Sequence, residues 1–118
     1  MISVEEFYAT IGSNATQVIA RLGGNSALIL RFLGMFRADT SFEELCAALD
    51  SNNAEVSFRA AHKLKGVSGT LGFQRLYDQA SSMTEMLRGG DLASAQVARP
   101  ELEKLYAQVL EALKGLNL

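Results

Sequence analysis

Apolar residues recur at three- and four-residue intervals along almost the whole 118-residue chain, the period of an α-helix. Val4, Phe7, Tyr8 and Ile11 form the first run. Ser3 and Glu6 precede it as a capping box, and Gly12 stops it. Val18, Ile19 and Leu22 form a short second run that starts near Asn14 and ends at Gly23-Gly24. Asn25 or Ser26 caps a third, with Ile29, Phe32, Leu33 and Phe36 on one stripe. Phe42, Leu45, Cys46 and Leu49 resume six residues after Phe36, out of phase with a 3.6-residue turn. A break or kink is therefore expected within Arg37–Ser41. Thr40 with Glu43, or Ser41 with Glu44, reads as a fresh capping box there.

Asp50-Ser51-Asn52-Asn53 is a polar turn, and the next helix is predicted over Ala54–Leu71, ended by Gly72. Another starts at Phe73, carries Leu76, Tyr77, Ala80, Met83, Thr84 and Leu87, and ends at Gly89-Gly90. Asp91 caps the last, which runs through Leu92, Ala95, Leu102, Leu105, Tyr106, Val109, Leu113 and Leu116. Pro100 inside it removes a backbone donor and predicts a kink near Gln96–Glu101. No segment alternates apolar and polar residues as a strand would. The fold class is therefore all-α: an antiparallel four-helix bundle with additional short N-terminal helices, one domain over residues 1–118. The expected core includes Val56, Leu64, Val67, Leu71, Leu76, Tyr77, Leu105 and Val109.

Charge and composition narrow the function. Lys and Arg number 11 against 13 Asp and Glu, a net charge of −2. So weak a balance does not steer a protein to nucleic acid or anionic lipid, and neither is an expected partner. One cysteine, Cys46, cannot form an internal disulfide. With the single histidine, His62, it falls short of the roughly four ligands of a zinc site. No metal or cofactor is expected. Met1–Glu6 lacks a signal-peptide pattern. The longest apolar stretch, Ala27–Phe36, contains Arg31 and is far shorter than the ~20 residues that span a bilayer. A soluble, cytoplasmic, monomeric protein is expected, and Met1 with the short ends favours a free one.

The informative helix is Ala54–Leu71. With 100° per residue and His62 at zero, Val56, Ala60, Leu64, Val67 and Leu71 fall at roughly 120–200°, an apolar stripe. Glu55, Phe58, Arg59, Lys65, Gly66 and Gly69 fall within about 60° of His62. The histidine thus faces solvent. A lone surface histidine is ordinarily incidental, and a non-catalytic helical interaction module is the alternative reading. Three neighbours weigh against it. Gly66 and Gly69 each cost a mid-helix about 1 kcal/mol relative to alanine, yet strip side chains from beside the imidazole. Lys65 places an ammonium where a group of charge near −2 could be neutralised. Phe58 adds an outward apolar surface suited to docking, with Arg59 beside it. A neutral imidazole is a nucleophile at cytoplasmic pH. No sequence motif for ATP is present, since Gly66-x-x-Gly69-x-x-Gly72 lacks the Gly-Lys-Ser/Thr ending of a phosphate loop. An autonomous kinase is thereby remote.

The run Ala61-His62-Lys63-Leu64-Lys65-Gly66-Val67-Ser68-Gly69-Thr70-Leu71-Gly72 resembles the H-x-L-K-G-x-x-x-x-L-G signature of histidine-containing phosphotransfer (HPt) domains. The likeness extends upstream through Arg21-Leu22-Gly23-Gly24-Asn25 and downstream through Gly90-Asp91-Leu92. The resemblance implies a four-helix bundle with an extra N-terminal helix. It implies that His62 accepts a phosphoryl group, through its outer ring nitrogen, from a receiver-domain aspartate and passes it to another receiver. The partners implied are the receiver domains of a hybrid sensor kinase and of a response regulator. Magnesium would belong to the receiver's acidic pocket. Lys65 would neutralise the phosphate and Gly66 would admit the receiver. Arg88 matches a position where some members carry a basic residue near the phosphohistidine; it equally suits a helix C-terminal cation. Members often orient the ring with a Gln or Glu on the facing helix. The matching position holds Thr84, whose shorter hydroxyl calls for a bridging water.

Overall fold

The computed structural model describes all 118 residues. Seven helices follow in order: α1 Val4–Thr10, α2 Ala15–Arg21, α3 Ser26–Phe36, α4 Ser41–Asp50, α5 Ala54–Leu71, α6 Gln74–Arg88 and α7 Leu92–Leu113. There is no strand. Side-chain caps set most of the boundaries. Ser3 and Glu6 form a reciprocal capping box. Asn14, Asn25, Asn53 and Asp91 each accept from the backbone N–H three residues on.

The expected break after Phe36 is present, but neither predicted capping box forms there. Thr40 makes no side-chain cap, and its hydroxyl donates to Glu44 Oε2 at 3.2 Å. Asp39 takes over. Its Oδ1 accepts from the Ser41 N–H at 3.0 Å and from the Ser41 hydroxyl, and a carboxylate is the stronger acceptor. Helix α7 runs from Leu92 to Leu113 with Pro100 inside it.

Helices α4 to α7 form the antiparallel bundle. Near the start of α4, Phe42 stacks on Tyr106 of α7 with ring centroids 3.8 Å apart. At the end of α4, the Leu49 carbonyl accepts from Gln96 Nε2 at 2.6 Å, and Asp50 pairs with Arg99 at 2.6 Å. So α4 and α7 run in opposite directions. The same holds for α5 and α6, where Gly69 faces Tyr77 at one end and Phe58 meets Arg88 at the other. Helices α1 and α3 close one end of the bundle. Phe7, Tyr8 and Phe36 gather around Phe73, which lies between α5 and α6. Tyr8 donates to the Leu71 carbonyl at 2.7 Å, satisfying an acceptor in the last turn of α5.

Of the expected core, Leu64, Leu71, Leu76 and Val109 are buried. Val56, Val67, Tyr77 and Leu105 are only half-buried. The buried stripe of α5 instead adds Ser57, Ala61 and Ser68, each fully buried. On the helical wheel these three lie between the apolar stripe and the Phe58–Gly69 edge that meets α6. Small side chains there let α6 approach closely, which turns the stripe of α5 toward α6 and leaves the two valines at its margin.

Two buried phenols make stability pH-dependent. Burial pushes Tyr8 well above its ordinary value, with the charge of Arg21 pulling the other way. Burial first, then nearby Glu43, Asp39 and Cys46, push Tyr106 up to about 12. In the unfolded chain both ionise near 10. Above that pH the unfolded state holds fewer protons than the fold, so stability is present below pH 10 and falls as pH rises. Urea midpoints should decline from pH 10 to 12, and Tyr106→Phe should flatten that decline. An equally steep decline in the variant would show that Tyr106 has no part in it.

Candidate functional site

Asn53 caps the start of α5, and Gly72 ends it with a left-handed φ of 74°. Between them the helix projects His62 from its exposed face. No side chain or backbone group of the protein lies within 3.5 Å hydrogen-bonding reach of the imidazole in suitable geometry, so both ring nitrogens are open. The aromatic neighbour is Phe58, one turn earlier. The two rings lie 22° from parallel with centroids 6.1 Å apart. Phe58 is half-buried against the core. The guanidinium of Arg88, the last residue of α6, sits 5.0 Å from the centre of the Phe58 ring. Arg88 also pairs with Glu85 at 3.0 Å.

The two lysines flanking His62 differ. Lys63 pairs with Glu44 of α4 at 3.0 Å, which holds the Glu44 carboxyl below its usual range. Lys65 forms no ion pair with any carboxylate. It is half-buried on the His62 side of the helix, with its ammonium uncommitted. Arg59 pairs with Glu55 at 3.2 Å in an exposed i,i+4 contact. No three His, Cys, Asp or Glu side chains gather as metal ligands.

The two glycines separate. A Cβ added at Gly66 would meet no atom within 4 Å, so nothing inside the protein needs that position bare. A Cβ at Gly69 would lie 3.0 Å from the Tyr77 ring. The sequence predicts that both glycines clear the surface beside the imidazole; Gly66 is open in this way, whereas α6 lays an aromatic ring over Gly69. Gly66→Ala should therefore gain most of the ~1 kcal/mol of helix propensity, while Gly69→Ala gains less because Tyr77 must shift. Melting curves of the two variants check this, and equal gains would refute the distinction.

Thr84 does not stand where a ring-orienting residue would act. It is fully buried, and its hydroxyl donates to the Ala80 carbonyl at 2.7 Å within its own helix. Ser and Thr commonly bond back to the preceding turn in this way. The orienting role expected of Thr84, with or without a water, is therefore withdrawn. What the sequence does not reveal is the contact between Phe58 and Arg88, two residues on different helices. The i,i+3 spacing of Glu85 and Arg88 is the one part of that arrangement legible in the chain.

Taken together, fold and site define a helical bundle that displays one unbonded histidine beside an uncommitted ammonium and a bare helix face. The chain belongs to the Hpt domain family, whose model matches residues 31–112, more than two-thirds of the sequence. Comparisons with curated proteins and with solved structures return no match. Membership implies histidine phosphotransfer in two-component signalling, in which domains of this family carry phosphoryl groups and interact with receiver domains.

Proposed function

We propose that this chain is a cytoplasmic phosphorelay intermediate. It takes a phosphoryl group from the receiver aspartate of a hybrid sensor kinase and gives it to that of a response regulator. The observation that carries the reading is His62: the only histidine, exposed and unbonded, one turn from an open Gly66 within the family-matched segment. The outer nitrogen of the neutral ring attacks the phosphorus of an aspartyl phosphate. The N–P bond forms as the acyl P–O bond breaks, and the aspartate leaves as a carboxylate. The second receiver's carboxylate reverses these steps. Lys65, and Arg88 if it leaves Phe58, would offset the charge of near −2 on the phosphoryl group. Arg59 and Gly66 would face the incoming receiver, with the half-buried Phe58 at their edge, while Gly69 lies under the Tyr77 ring.

Incubation with a phosphorylated receiver tests this directly. A carrier acquires a label stable in base and lost in acid, whereas a helical interaction module with an incidental histidine stays unlabelled. Two variants probe the surface. Gly66→Gln should leave the fold intact and slow transfer, because a long side chain would lie across the approach. Lys65→Ala removes charge but no barrier, so it should weaken phosphoryl handling without a steric effect. Wild-type transfer by Gly66→Gln would show that the bare face has another purpose.

A further inference from the structure

The geometry points to Phe58 as the residue that positions the imidazole of His62 for transfer. This role rests on the phosphocarrier reading above. An imidazole that makes no hydrogen bond turns about both of its side-chain torsions, yet each transfer to or from a receiver's carboxylate requires its nitrogen to meet phosphorus along one line. Thr84 cannot hold it, since its hydroxyl is buried and bonded to the Ala80 carbonyl. Phe58 is the group laid alongside the ring, one turn away on the same helix and 22° from parallel.

Phe58 is itself held from two sides. It packs on the buried core, and the Arg88 guanidinium lies 5.0 Å from its centre, within cation–π range. Arg88 is in turn tied to Glu85 at 3.0 Å. The series Glu85, Arg88, Phe58, His62 thus runs from the last turn of α6 to the phosphoacceptor and fixes the ring to the bundle. An aromatic wall restricts the swing of the imidazole without occupying either nitrogen. Both stay open, the outer one to phosphorus. A hydrogen-bonding carboxyl or amide would instead engage the inner nitrogen.

The test separates positioning from docking. Single-turnover transfer from a phosphorylated receiver is followed over a range of receiver concentrations for wild type, Phe58→Leu and Phe58→Tyr. The His62 ring-proton shifts are read by NMR on the same samples. Leucine keeps the apolar bulk and removes the aromatic face, so the saturating rate should fall about tenfold. The half-saturating concentration should stay within about twofold. Tyrosine should restore the rate, and its His62 shifts should match wild type while those of the leucine variant differ. An unchanged saturating rate in Phe58→Leu with weaker half-saturation would make Phe58 a docking contact and overturn the positioning role. His62 shifts identical in all three proteins would overturn it too. No label on the wild type would defeat the phosphocarrier reading, and this role with it. Equal saturating rates in labelled wild type and Phe58→Leu would defeat the positioning role alone.

Discussion

His62→Gln takes up no phosphoryl label from a phosphorylated receiver and unfolds at nearly the wild-type temperature. Both halves follow from where α5 points the residue. The side chain is exposed and makes no hydrogen bond, so its replacement strands no buried partner and opens no cavity. Exposed substitutions of this kind usually stay within about 0.5 kcal/mol. Glutamine keeps polarity and helix propensity, and it presents an amide nitrogen whose lone pair is delocalised and not nucleophilic. No second histidine exists to take over. The expected loss is therefore complete rather than graded. A variant that still acquires an acid-labile label would place the acceptor elsewhere. One that unfolds early would mean that the contact with Phe58 matters to the whole bundle.

Much of this was legible in the chain, and the failures share a cause. The exposure of His62 followed from a single helical period within one element, and so did the ends of α5, set by Asn53 and Gly72. What depends on a second element was hidden. Gly66 and Gly69 look alike in sequence; only the arrival of Tyr77 from α6 distinguishes them. Ser57 and Ser68 carry no apolar signal in the sequence, yet both are fully buried where α5 packs on α6, and neither hydroxyl finds a hydrogen-bond partner. Their value there is small volume, which a scale of polarity does not register. Thr84 read as a group aimed at the histidine, but nothing in a sequence says whether a hydroxyl faces across to a partner or back along its own helix. Phe58 and Arg88 were each singled out alone, and their contact required both helices to be in place.

Phe73→Ala should destabilise the protein more than any exposed substitution while sparing the chemistry of His62. Gly72 takes the left-handed conformation that ends α5. The Gly72 N–H then bonds to the Gly69 carbonyl and the Phe73 N–H to the Ser68 carbonyl at 2.9 Å, the paired closure of a Schellman motif. That turn points Phe73 into the end of the bundle, where it is only 1% exposed. Its ring meets Phe36 edge-on at 5.0 Å, Phe7 at 6.0 Å and Tyr8 at 6.4 Å. One side chain thus joins α1 and α3 to the α5–α6 hairpin, and truncating it leaves a cavity bounded by three rings. Phe→Ala in such a place costs about 3–5 kcal/mol, a large share of the 5–15 kcal/mol or so that holds a typical domain together. The thermal midpoint should fall by about 10 °C or more. Phe73→Leu, which fills part of the space, should fall less. At low temperature the alanine variant should keep its helical circular dichroism, because the turn is made by backbone groups that the substitution leaves in place. His62, on the exposed face of α5, should still accept label there. A midpoint within about 3 °C of wild type would mean that α1 and α3 are anchored by other contacts and that the aromatic cluster is not what closes the bundle.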